Sequence, residues 1–158
     1  MTIKQIIDDK SVKRLEKRKA IIEGIINGSF DFSAVSAACS LLPEKKVSLL
    51  LEAIEEVSRS KEFSLEKDYL KLSESYILSS DPSCKREASR IVGNLADAFP
   101  ENLDHAITAL LQNADHEGTV IRWASAYALS RIVIIPQYAR GPLFEQISHL
   151  YEKEEETG

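Results

Sequence analysis

Three consecutive residues in the stretch DHEG, Asp115, His116 and Glu117, carry side chains of the kind that bind divalent metal ions. A metal site needs ligands that converge on one point, and neighbours on one short loop point in different directions. The other histidines, His105 and His149, stand far away in sequence, so a partner set is missing and a polar turn between helices is the expectation. Asp104 and Glu101 suit the positive end of a helix dipole. The paired carboxylates Glu55–Glu56 and Glu154 to Glu156 read as solvated faces. No glycine-rich phosphate loop, no HExxH and no GxSxG is present. Cys39 and Cys84 form no CxxC and sit in apolar surroundings, which predicts buried, reduced thiols. The residues therefore predict no catalytic group, no metal and no cofactor, and a protein that is not an enzyme.

A chain of 158 residues is long enough for one domain with its own core. Its 44% hydrophobic and 28% charged residues are ordinary for a soluble globular protein. The net charge of −5 argues against nonspecific attachment to nucleic acid or to an anionic membrane. The N-terminal MTIKQIIDDKSVKRLEKRK lacks the apolar stretch of a secretory signal, and no window approaches 18 apolar residues. These features together predict a cytoplasmic protein without a membrane span.

Glycine and proline are sparse and punctuate the chain, and between them apolar residues recur at the helical period. The pattern predicts about eight helices joined by short turns, which favours antiparallel neighbours. Ser11 is the expected cap of a first helix that Gly28 stops. Asp31 caps the next, Pro43 occupies the first position of a third, and Ser64 caps a fourth. Asp81 and Pro82 start a helix running to about Phe99, and Asn102 opens another. A long helix then extends from about Thr119 to Ile135, and a last one begins near Pro142. Residues 152–158 are expected to fray as an acidic tail.

Two of these helices resemble one another. DPSCKREASRIVGNL (81–95) and GTVIRWASAYALSRI (118–132) match with a shift of 37 positions, which places Cys84 on Ile121, Lys85 on Arg122, Val92 on Leu129 and Leu95 on Ile132. A repeat of this length built from two helices is how a helical solenoid is written, because one helix pair cannot bury its apolar face alone. Small residues recur where helices approach closely: Ala88, Gly93, Ser125, Ala128 and Ser130. Asp81-Pro82, the aliphatic-like Cys84, basic Lys85, Ala88 and Val92-Gly93-x-Leu95 are similar to the second helix of a HEAT repeat. The second copy lacks the Asp-Pro. The resemblance, to the HEAT-repeat (armadillo-like) family, implies an all-α, right-handed α-α superhelix of antiparallel helix pairs. It divides the single domain 1–158 into divergent or capping helices over 1–80 and two HEAT-like repeats over 81–151.

Opposite the core stripe, the first repeat helix carries Arg86, Arg90, Asn94 and Asp97, and the second carries Trp123, Tyr127, Arg131 and Ile134. Stacking in register puts Trp123 beside Arg86 and Tyr127 beside Arg90. The resemblance implies that these helices line the concave side, where partners bind, and Trp, Tyr and Arg dominate binding hot spots. The candidate partner-binding residues are therefore Arg86, Arg90, Asn94, Trp123, Tyr127 and Arg131. The leading reading is a scaffold, adaptor or regulatory subunit that binds a protein or peptide. The alternative is a nucleic-acid-binding HEAT-like protein in which Arg86, Arg90, Arg122, Arg131 and Arg140 form a stripe and Trp123 or Tyr127 stacks on a base. The net charge weighs against that alternative. A homo-oligomer assembled through the aromatic patch is a further reading, as is packing of Trp123 under a neighbouring helix.

Overall fold

Caps and prolines set the helix starts in the computed structural model, which describes residues 1–157 and contains no strand among them. The helices are α1 (Ile3–Asp8), α2 (Arg14–Ile26), α3 (Phe32–Leu41), α4 (Glu44–Ser58), α5 (Lys67–Glu74), α6 (Pro82–Leu95), α7 (Asp104–Asn113), α8 (Thr119–Val133), α9 (Pro136–Ala139) and α10 (Pro142–Thr157). Asp31 caps α3 by accepting from the Ala34 amide, and Asp81 caps α6 by accepting from the Cys84 amide, with Pro82 at the first position. Gly28, at φ 82°, ends α2 in the left-handed region that suits glycine.

Several starts differ from expectation. Ser11 does not cap α2: its amide and its hydroxyl both donate to Asp9 Oδ1, at 2.8 and 2.6 Å, and the resulting turn delays the helix to Arg14. Pro43 is the cap of α4 rather than its first residue, and α5 starts after Glu66 rather than after Ser64. Asn102 adopts φ 61°, which cannot continue into a helix, so α7 begins two residues later. The expected eight helices become ten. Thr2 and Gln5 form a reciprocal capping box that starts the short α1, and Pro136 restarts the chain as the four-residue α9. The helix α10 continues through the acidic segment as far as Thr157, and within it Lys153 Nζ donates to Asp115 Oδ1 at 2.8 Å.

The helices form two rows. The helices α2, α4, α6, α8 and α10 pack side by side in that order, and α1, α3, α5 and α7 follow one another beside them. Each member of the second row also packs on the helix that follows it in sequence, and α9 joins α8 and α10. Ile21, Leu50, Leu51, Ile54, Ile91, Val92, Leu129 and Ile132 are buried along the first row, while Leu70, Ala106 and Leu110 come from the second. Links between rows and neighbours recur at one spacing. The Phe32 and Tyr69 rings meet edge to face at 5.1 Å, Gln137 Nε2 donates to Pro100 O at 2.8 Å, and Asn113 Nδ2 donates to Ile77 O at 2.6 Å. The first two pairs lie 37 residues apart and the third 36. The spacing of about 37 residues therefore extends into the N-terminal half, where the sequence repeat is faint.

Gly93 lies in the seam between α6 and α8. A Cβ added there would stand 2.9 Å from Ala128 Cα and 3.1 Å from the Tyr127 ring, so the two helices meet backbone to backbone. The small residues Ala88, Ala124, Ser125 and Ala128 along this seam are buried.

Candidate partner-binding face

The side chains that stand off the core on α6 and α8 separate into three regions. The first is a charged cleft of about 550 Å3 lined by Arg18, Glu52, Glu55, Glu56, Arg59, Arg86, Glu87, Arg90 and Val120. Arg86 Nε donates to Glu87 Oε1 at 2.9 Å, and Arg59 holds Glu55 at the same distance. Arg90 is exposed. Glu55 and Glu87 are 6% and 5% exposed, which corrects the reading of Glu55–Glu56 as a solvated pair. Glu56 is exposed, but Glu55 sits on the seam between α4 and α6.

Burial pushes the Glu87 carboxyl above the usual carboxylate range, and the adjoining Arg86 pulls it only partly back. A carboxyl whose pKa is higher folded than unfolded stabilises the fold below its unfolded pKa, and that stabilisation is lost as pH rises through the folded value. Glu87→Gln is accordingly expected to melt at a higher temperature than the wild type at pH 7, with the gap closing on acidification toward pH about 4. Thermal unfolding of both proteins across that range checks this. A gap that is absent at pH 7, or that widens in acid, would show that Arg86 outweighs burial.

The second region is a polar chain across three helices. Asn94 Nδ2 donates to Ser58 Oγ at 2.9 Å and to Glu55 Oε1 at 3.4 Å, and Asn94 Oδ1 accepts from the Tyr127 hydroxyl. Arg131 Nε in turn donates to the Tyr127 hydroxyl at 2.9 Å, with its guanidinium 5.0 Å from the ring centroid.

The third region is an apolar groove of about 500 Å3 between α8 and α10. Leu129, Ile147 and Leu150 line it with Ala126, and Trp123 and Tyr151 stand 61% and 67% exposed beside them. Arg122 closes one end by donating to both oxygens of Glu154, at 2.9 and 3.1 Å. Arg122 and a hydrogen bond from Trp123 hold the Glu154 carboxyl below its ordinary pKa.

The structure thus leaves Trp123 off the core and brings Asn94, Tyr127 and Arg131 into direct contact. The expected neighbours shift by one helical turn. Tyr127 meets Asn94, 33 residues away, rather than Arg90. Arg86 meets the start of α8 at Gly118 to Ile121, while Trp123 faces α10. The registers differ because the two helices are offset at the seam itself: Gly93 lies against Ala128, 35 residues on, rather than against the matching Ser130. Sequence reasoning missed Glu55 and Ser58 as members of this face.

The DHEG turn is polar. The Gly118 amide donates to His116 Nδ1 at 2.8 Å, and Arg122 Nη1 donates to the carbonyls of His116 and Glu117 at 3.1 and 3.0 Å. Among the described residues, no group of three His, Cys, Asp or Glu side chains is placed to hold a metal ion. Cys39 and Cys84 are buried and free, and burial raises their thiols to about 11 and about 12, so neither is a thiolate at neutral pH. No helix among the described residues is long and apolar enough to cross a membrane. Comparison of the chain with protein-family models, with curated proteins and with solved structures gave no match.

Proposed function

We propose that this protein is a non-catalytic protein–protein interaction module, built as a short HEAT-like (armadillo-like) solenoid, that binds a protein or peptide across the face of α6 and α8. It would serve as a scaffold, adaptor or regulatory subunit in the cytoplasm. The observation that carries the reading is Trp123. The single tryptophan of the chain is 61% exposed at the edge of an apolar groove, next to Tyr127 and Arg131. Apolar patches exposed on soluble proteins mark interaction sites, and these residue types supply most binding energy at interfaces. The two helix rows and the recurring 37-residue spacing support the solenoid part of the reading.

The same geometry favours a protein partner over nucleic acid. The four arginines of the charged cleft are interleaved with Glu52, Glu55, Glu56 and Glu87, which cancel the positive potential that a phosphate backbone requires.

Capture from a lysate of the source cells tests the proposal, with the wild type and the Trp123→Ala/Arg90→Ala double variant as baits, each with and without nuclease. A protein retained by the wild type, insensitive to nuclease and reduced about tenfold or more with the variant is the expected result. Both side chains are exposed, so the helical content of the variant should match the wild type. An identical catch on both baits would reject this face, and a nuclease-sensitive catch would transfer it to nucleic acid.

A further inference from the structure

The charged cleft and the apolar groove would recognise different things, and only the groove combines an apolar floor with a charge that has no counter-ion. In the cleft, four arginines face four glutamates, so it is close to self-neutralised. In the groove, Glu154 neutralises Arg122 at one end. Beside the other end, Arg131 lies over the ring of the groove-lining Tyr127, on the side of α8 that faces α6, and is exposed. It bonds the Tyr127 hydroxyl through Nε, and among the described residues no carboxylate lies within ion-pair distance of it. In a chain of net charge −5, this leaves a local positive charge beside the apolar floor.

The length of the groove restricts its occupant. Its lining on α8 runs from Arg122 to Ser130, and on α10 back from Glu154 to Ile147, so the two helices bound it antiparallel. Eight residues of helix span about 12 Å, or slightly over two turns. That length admits two large apolar side chains from one face of a helix, three or four residues apart, with a third position one turn further on.

We propose, on the basis of the interaction-module reading above, that this groove seats an amphipathic helix of a partner protein. Two apolar anchors of that helix lie between Trp123 and Tyr151, and an Asp or Glu one turn beyond them pairs with Arg131. Arg131 is ready for such a pair because Tyr127 fixes its guanidinium while leaving its terminal nitrogens available, so little side-chain entropy is lost on binding.

The test is selection of helix-forming peptides from a randomised display library against the whole protein, followed by titration of the synthesised winners. Binding is read from the fluorescence of wild-type Trp123 and by calorimetry for the variants. The expected winners carry two large apolar residues at i and i+3 or i+4 with an acid one turn on. Trp123→Ala and Arg131→Glu should each weaken them about tenfold or more, and Lys19→Ala, an exposed change on α2 away from the groove, should leave them unchanged. Exchanging the peptide acid for Lys should restore affinity to Arg131→Glu alone, which a merely damaged surface would not do. Winners that respond to Arg86→Ala or Arg90→Ala but not to Trp123→Ala would overturn the groove while leaving the interaction module standing. A library that yields no binder would overturn both. A concentration-dependent dimer abolished by Trp123→Ala, measured by sedimentation, would give the groove to a second copy of the chain and overturn the partner helix.

Discussion

Gly93→Val is expected to lower the unfolding free energy by about 3 kcal/mol, at the upper end of what overpacking costs. The atom that a new Cβ would strike is backbone: Ala128 Cα at 2.9 Å, with the Tyr127 ring at 3.1 Å on the other side. A flexible side chain could swing away from such a contact, but α8 can yield only by moving as a whole. That movement would also disturb the Asn94–Tyr127 hydrogen bond one residue along. Gly93→Ala should be milder, because the gain of up to about 1 kcal/mol in helix propensity offsets part of the clash. Urea denaturation checks both variants. In a domain of this size the valine variant should also melt about 6–12 °C lower, at roughly 2–4 °C per kcal/mol. A valine variant as stable as the wild type would mean that α6 and α8 do not meet at this seam.

Leu50→Ala is expected to cost about 2–5 kcal/mol by the opposite route. Leu50 lies on α4 with no exposed surface, among other large residues of the core such as Ile21, Leu51, Ile54 and Ile91. Truncation removes the transfer energy of three carbons and leaves a void that a row of helices pinned by neighbours on both sides closes poorly. Urea midpoints with an unchanged m-value would show the loss as one of stability rather than of compactness. A cost under about 1 kcal/mol would indicate that the core of α4 relaxes freely. The neighbouring Glu52, half-buried on the polar side of the same helix, should tolerate Gln far better, because it pairs with Arg14 and Arg18 near solvent.

The contrast between these two sites follows how the fold could be read from its residues. The C-terminal half was legible because α6 and α8 carry small residues at two matching positions, Ala88 with Ser125 and Gly93 with Ser130, and share their aliphatic stripe. The half before Asp81 repeats with the same spacing, as Phe32–Tyr69 demonstrates, but its seams are filled with larger side chains and its copies do not look alike. The helix α1 escaped notice because six residues are too few to show a period, although its capping box is written in Thr2 and Gln5. At the candidate face the exposed residues were legible as residues, since Trp123 stands off the apolar stripe. Their partners were not, because a one-turn shift across the seam is invisible in a linear alignment of repeats. Glu55 was misjudged for a related reason. Its neighbour in sequence is exposed, and the buried carboxylate is held by Arg59 one turn on and by Asn94 arriving from α6.

The spacing that recurs through the structure also has a mechanical meaning. Arg14 bonds Glu52, Lys46 bonds Asp8, Ser79 bonds Glu44, Asn94 bonds Ser58 and Lys153 bonds Asp115, each across 35 to 38 residues. Cohesion is therefore arranged in series, each helix pair fastened chiefly to the next. Such a chain needs no encounter between distant ends in order to fold, and ordering begun at any pair spreads to its neighbours. Pulled from its termini, it should lengthen in steps of one pair, behaving as a stack of short springs rather than as a single body that ruptures at once.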